Sequence, residues 1–135
     1  MIGLEVHAQL TSLKSKLFCS CSADYRQLPP NSSVCPVCLG LPGSLPRLNR
    51  RALEEVLKIA LALHSQPASE TVFYRKHYFY PDMAKNFQIS QYDRGGGVTI
   101  AKGGWLDLQT GQLTKRVRIR RGQLEEDVAK IGYPS

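Results

Sequence analysis

A chain of 135 residues has room for one core, because single hydrophobic cores usually form at about 100–150 residues. Its 42% hydrophobic and 21% charged residues lie near the globular average, which excludes a low-complexity chain, and no window reaches the roughly 20 unbroken apolar residues of a membrane span. Eighteen Lys+Arg against eleven Asp+Glu leave a net charge of +7, which favours a polyanionic partner such as RNA or a nucleotide, and the glutamate in MIGLEVHAQL argues against a secretion signal, so a soluble cytoplasmic protein is expected.

Residues 1–10 alternate, with Ile2, Leu4, Val6, Ala8 and Leu10 on one side and Glu5 and His7 on the other. The pattern predicts a half-buried strand that presents a carboxylate beside an imidazole, about 7 Å apart at the usual rise. From about 18 to 46 the chain is rich in Cys, Pro, Asn, Ser and Gly without helical period, an irregular excursion that needs an external tie. Its four cysteines supply one. Cys35-Pro-Val-Cys38-Leu-Gly40 is a zinc-knuckle sequence, in which Gly40 lets the backbone curl under two thiolates; Cys19 and Cys21 complete the set if the backbone turns between them. Four thiolates with no open position make a structural zinc site. Free buried thiols fit poorly in a loop without its own core, and a redox pair at Cys35/Cys38 lacks the βαβ setting of such motifs.

Asn49 is placed to cap a helix whose Leu53, Val56, Leu57, Ala60 and Leu61 form a core-facing stripe, ending near His64–Ser65. Thr71–Tyr80 and Phe87–Tyr92 predict strands, with a turn or hinge at Gly95–Gly97. Val98–Ala101, Trp105–Leu108 and Lys115–Arg121 predict further strands, joined by turns at Gly103-Gly104 and Thr110-Gly111. A bulge at Gly122 is expected to carry the last strand on, returning Leu124 to the apolar side and placing Glu125 and Asp127 on the polar one. The fold class is α+β: a mostly antiparallel sheet, one amphipathic helix and a zinc-knuckle loop in a single domain over 1–135.

Glu125, Glu126 and Asp127 form an acidic triplet whose repulsion needs a cation or a basic group nearby, and carboxylates with one imidazole suit Mg²⁺ or Mn²⁺. A solvated strand face and a surface charge run explain Glu5, His7 and the triplet equally well. Arg75-Lys76-His77 among five aromatic residues combines phosphate-gripping cations with stacking surface, and Lys115, Arg116, Arg118, Arg120 and Arg121 form a basic strand; aromatic core and a charge-protected edge are the ordinary alternatives.

Five separated blocks resemble, in order, the signatures of the B-subunit family of the aspartyl/glutamyl-tRNA amidotransferase: residues 2–10, residues 34–43 around Cys35 and Cys38, Arg75 to Asp82, Gln88 to Asp93, and Leu124-Glu125-Glu126-Asp127. The resemblance covers essentially the whole chain and implies the N-terminal portion of a catalytic cradle domain similar to glutamine synthetase. The function it implies is ATP-dependent phosphorylation and then amidation of Glu-tRNA(Gln), Asp-tRNA(Asn) or both. Ammonia would come from an A subunit, and a C subunit would complete the ligase. Carried over by position, it implies Mg²⁺ ligation by Glu5, His7, Glu125 and Glu126, a place for Lys76 near the active centre, and zinc ligation by Cys19, Cys21, Cys35 and Cys38. Arg75 and Arg118, as well as Lys76, are candidates to disperse phosphate charge.

The chain departs from the family at four places. Gln123 stands where His is usual, Tyr74 where Asp is common, and Arg94 where Pro often follows, and Asp127-Val128-Ala129-Lys130 replaces the usual Ala-Gly before the lysine. The family's B subunit is also several times longer, so an incomplete domain is expected. A zinc-stabilised RNA-binding or assembly module without catalysis is the competing reading.

Overall fold

The computed structural model describes residues 2–81, 83, 85–91 and 93–128. The expectations placed on Asp82, Tyr92, Ala129 and Lys130 therefore lie outside the described residues. The chain forms two compact units, Met1–Glu55 and Val56–Ser135, with the division falling inside a helix.

In the first unit, residues 2–10 form no strand, and Ile2, Leu4 and Val6 are 86–91% exposed. This corrects the strand expected there. Alternation of apolar and polar residues tells which side a strand would bury, but a strand also needs a neighbour for its backbone N–H and C=O groups, and residues 2–10 have no such pairing among the described residues. Order begins where the chain folds back on itself: Ser15 bridges Ser22, the Lys16 N–H donates to the Cys21 carbonyl (2.9 Å), and the Ala23 N–H donates to the Lys14 carbonyl (3.1 Å).

Asn49 links this loop to the helix α1 (Arg50–Ala62). Its Oδ1 accepts from the N–H groups of Arg51 (2.9 Å) and Ala52 (3.3 Å), the N-cap geometry expected, while its Nδ2 donates to the carbonyl (3.1 Å) and hydroxyl (2.9 Å) of Ser15. One side chain thus starts the helix and anchors the first cysteine loop. The most buried positions on α1 are Ala52 and Ala60, with Val56 between them half-buried, and Leu61 is 63% exposed. The contact stripe is therefore centred on the alanines rather than on Leu61. The helix closes with the Ser65 N–H on the Ala60 carbonyl (2.8 Å) and the His64 N–H on the Leu61 carbonyl (3.0 Å), a Schellman arrangement in which His64 takes the left-handed position (φ 55°).

Among the described residues the second unit holds seven short strands, all paired antiparallel: β1 (Gln66–Pro67), β2 (Tyr74–His77), β3 (Phe87–Ser90), β4 (Ala101–Lys102), β5 (Trp105–Thr110), β6 (Leu113–Arg118) and β7 (Arg121–Gly122). They form three sheets, in the orders β1-β4-β7, β2-β3 and β5-β6. Phe87, Ile89, Ile100, Ala101, Leu124 and Met83 are buried and supply its core. The two longer predicted strands shorten to β2 and β3, and of the turn or hinge expected at Gly95–Gly97 the structure shows a turn, beginning as a 3-10 turn over Asp93–Gly95. Gly104 has φ 110°, and a Cβ there would lie 2.5 Å from the Leu63 carbonyl oxygen, so this crossing between β4 and β5 needs glycine.

No bulge carries β6 past Gly122. The strand breaks after Arg118, and β7 pairs with β4 instead, with Gly122 opposite Ala101. The Ile119 N–H on the Gly104 carbonyl and the Gly103 N–H on the Arg120 carbonyl hold the switch between sheets. Leu124 is nevertheless buried, after this switch between sheets and not through the bulge that was expected to bring it there. Among the described residues no helix is long and apolar enough to cross a membrane.

Candidate functional site

The knuckle at residues 35–41 is built from three backbone hydrogen bonds, Leu39 N–H to Cys35, Gly40 N–H to Val37 and Leu41 N–H to Pro36, at 2.9–3.0 Å, with Gly40 at φ 68°. It brings Cys35 and Cys38 up to the loop carrying Cys19 and Cys21, and the four Sγ atoms all lie within 4.8 Å of one another. Among the described residues this is the group of three or more potential ligands that converges on one point. Tetrahedral Zn–S bonds of about 2.3 Å imply S···S separations of about 3.8 Å, within that span, and an all-thiolate set is the soft donor chemistry zinc takes.

The electrostatics of the thiols agree. The backbone N–H of Cys38, with further hydrogen bonds from its neighbours, lowers Cys35 to about 7. Burial, helped by the adjacent Cys35 and Cys19 sulfurs, pushes Cys21 up to about 12, and burial also raises Cys19. Cys35 ionises readily whereas Cys19 and Cys21 resist, so gathering these sulfurs as thiolates calls for a multivalent cation between them. The Lys16 ammonium, donating to the Ser33 carbonyl and 3.8 Å from the Cys38 sulfur, is a basic group that sequence reading missed.

In the second unit the acidic segment 124–126 runs beside β3 without becoming a strand. A single backbone bond joins them, the Glu126 N–H on the Ile89 carbonyl at 2.9 Å. The remaining ties come from side chains. Gln91, fully buried, accepts on Oε1 from the N–H groups of Leu124 (2.9 Å) and Ile100 (3.2 Å), and its Nε2 donates to the Thr71 hydroxyl. Gln88 Nε2 donates to the Glu126 carbonyl at 2.8 Å, and the Ser90 hydroxyl donates to Glu125 Oε2 at 2.9 Å. Glu126 pairs with the Lys85 ammonium through Oε1 and accepts from the Ile89 N–H on Oε2 at 3.3 Å. Gln123, in the position where the resembled family has histidine, donates weakly to Glu125 Oε2 at 3.4 Å.

Arg75 and Lys76 belong to the same sheet, β2 pairing with β3 so that Arg75 faces Ile89 and Lys76 faces Gln88. Their charges lie over aromatic rings, Arg75 4.6 Å from the Phe87 centroid and Lys76 5.4 Å from that of Tyr78. The sheet thus gathers Arg75, Lys76, Glu125 and Glu126 around one strand. Arg118 is elsewhere, exposed on the β5–β6 hairpin opposite Trp105. Glu5 and His7 lie in the first unit, on the exposed segment, with Oε2 and Nε2 3.9 Å apart.

Lys85, Gln88, Ser90 and Gln91 carry roles that sequence reading did not assign. The available signal was that Phe-Gln-Ile-Ser-Gln sets polar residues within an apolar strand; every residue from Phe87 to Gln91 is buried, and buried polar side chains demand partners.

Residues 1–134 match the family model for the GatB/GatE catalytic domain. Curated relatives named as B subunits of aspartyl/glutamyl-tRNA(Asn/Gln) amidotransferase include one from Sulfurisphaera tokodaii, 58% identical over 99% of this chain, and one from Sulfolobus acidocaldarius, 56% identical over 99%. Another, from Thermomicrobium roseum, is 53% identical over 97%. The chain spans 28%, 28% and 26% of the lengths of these three. A match along nearly its whole length means that this chain belongs to the GatB/GatE catalytic-domain family.

Proposed function

We propose that the chain is the N-terminal portion of the catalytic cradle of a tRNA-dependent amidotransferase B subunit, working in the cytoplasm with A and C subunits. The substrate is a mischarged Glu-tRNA(Gln) or Asp-tRNA(Asn), whose side-chain carboxylate is phosphorylated by ATP and then amidated. The observation that carries this reading is the gathering of Arg75, Lys76 and the Glu125/Glu126 carboxylates on and beside one buried strand. Phosphoryl transfer asks the protein for position and charge compensation more than for covalent chemistry.

Glu125 supplies a carboxylate donor for Mg²⁺, with Glu126 beside it anchored by Lys85; Glu5 and His7 are further donors of the same hard-oxygen and imidazole class. A bound magnesium ion would neutralise charge on the transferring phosphoryl group. Lys76 and Arg75, braced by their aromatic neighbours, and the exposed Arg118 present cations to phosphate oxygens. The four-cysteine site holds structural Zn²⁺ and takes no part in the chemistry.

The test is reconstitution with a glutamine-hydrolysing partner. Glu125→Ala should abolish ATP-dependent phosphorylation of mischarged tRNA while glutamine hydrolysis persists; unchanged phosphorylation refutes the assignment. A second reading, a zinc-stabilised RNA-binding or assembly module without catalysis, is favoured by Gln123 and by the exposed cations Lys115, Arg116, Arg118 and Arg120. Titrations separate the two: Mg²⁺-dependent ATP binding supports the enzyme, and salt-sensitive tRNA binding without it supports the module.

A further inference from the structure

We infer that Lys16 is a positioning residue of the four-cysteine centre: its ammonium clamps the knuckle to the first cysteine loop and compensates the negative charge that Cys38 carries when zinc is bound. This rests on the proposed zinc in that site. Lys16 touches both halves of the ligand set. Its backbone N–H donates to the Cys21 carbonyl at 2.9 Å. Its side chain crosses to the knuckle, where Nζ donates to the Ser33 carbonyl at 2.5 Å and lies 3.8 Å from Cys38 Sγ. Asn49 Nδ2 steadies the same stretch by reaching the carbonyls of Ser15 (3.1 Å) and Lys16 (3.5 Å). A further tie between the two halves, the Ser33 hydroxyl on the Ser22 carbonyl at 3.2 Å, is exposed and brings no charge.

An ammonium has three N–H donors, and withdrawing it from water is costly unless they are met. Lys16 is half-buried whereas Lys14, two residues earlier, is exposed, and among the described residues no carboxylate pairs with Lys16. Its charge is directed at a carbonyl and a sulfur instead. Four thiolates around one divalent cation leave the centre net negative. As a thiol, Cys38 donates to the Cys35 carbonyl at 3.5 Å, a bond that a thiolate cannot make. The thiolate keeps the Cys35 N–H at 3.1 Å and the Lys16 ammonium, and of these two donors the ammonium alone carries a charge. Charge-assisted bonds are roughly twice as strong as neutral ones. Groups that orient a metal ligand commonly change metal affinity about 10–100-fold when removed.

The test uses the full chain, with zinc affinity read by competition against a chromogenic chelator and the charge at sulfur read from the thiolate-to-metal charge-transfer band of the Co²⁺-loaded protein. Lys16→Leu, which removes the charge and keeps an apolar stem, should weaken zinc binding about tenfold or more. It should also move the band to lower energy, because an uncompensated thiolate gives up electron density more readily. Lys16→Arg, which keeps charge and donors, should hold the band near the parent's position. A structural loosening alone would weaken binding without moving the band. If Lys16→Leu leaves the band in place, or Lys16→Arg moves it as far as Lys16→Leu does, the inference is overturned and the zinc site stands. If the parent takes up no zinc, or Cys38→Ser leaves both uptake and the band unchanged, the zinc reading falls and the inference with it.

Discussion

Replacing Gln91 by leucine isolates the contribution of one buried amide. Leucine nearly matches glutamine in volume, so little cavity is created, but both backbone N–H groups on Oε1, those of Leu124 and Ile100, lose their acceptor. Each orphaned buried donor costs about 1–3 kcal/mol, and the added apolar burial returns part of that. The expected net loss is about 3 kcal/mol, a fall in melting temperature of about 10 °C for a chain of this size. Urea unfolding followed by circular dichroism reads the first quantity and calorimetry the second. A midpoint shift equivalent to less than about 0.5 kcal/mol, at unchanged m-value, would show that water or a rearranged backbone satisfies those donors, and that Gln91 does not hold the acidic segment in place.

Zinc removal should be the larger perturbation for the first unit. Elemental analysis is expected to find about one zinc per chain, and Cys35→Ser or chelation should cost this unit its protection from proteolysis; a metal-free chain with unchanged protection contradicts the structural assignment. Asn49→Ala should lose about 1–2 kcal/mol for the helix cap and weaken zinc retention, whereas Asn49→Asp should keep the cap and lose only the ties to Ser15 and Lys16, seen as faster zinc release to a chelator. Asp107 is held below the usual carboxylate range by hydrogen bonding to Arg116, whose guanidinium lies 5.1 Å from the Trp105 ring centroid. A depressed carboxylate stabilises above its unfolded pKa and loses that contribution as pH falls through the folded value, so fluorescence of this single tryptophan should change below about pH 4. Asp107→Asn should abolish the acid transition, and an unaltered transition in that variant assigns it elsewhere.

What could be read from residue order was what local chemistry decides. Asn49 before an apolar period of 3.6 already names a helix start, because the cap bond spans two or three residues. Cys35-Pro-Val-Cys38-Leu-Gly40 already names a turn that offers two thiolates, because its hydrogen bonds close within a few residues.

Residues 2–10 show where that logic stops. Their alternation is as regular as any in the chain, yet a strand exists only where another backbone pairs with it, and pairing is not a property of the segment. The break after Arg118 is similar: β7 leaves its hairpin because β4, about twenty residues earlier, offers free backbone groups, whereas the sequence offered a bulge as the simpler solution. The ties from Ser90 to Glu125 and from Gln91 to Leu124 join residues 35 and 33 positions apart. Residue order therefore determined the cap, the knuckle and the inventory of carboxylates and cations, all settled by bonds a few residues long. Only the tertiary structure decided which strands pair and which buried amide or hydroxyl meets which partner, because those bonds form only after distant segments have been brought together.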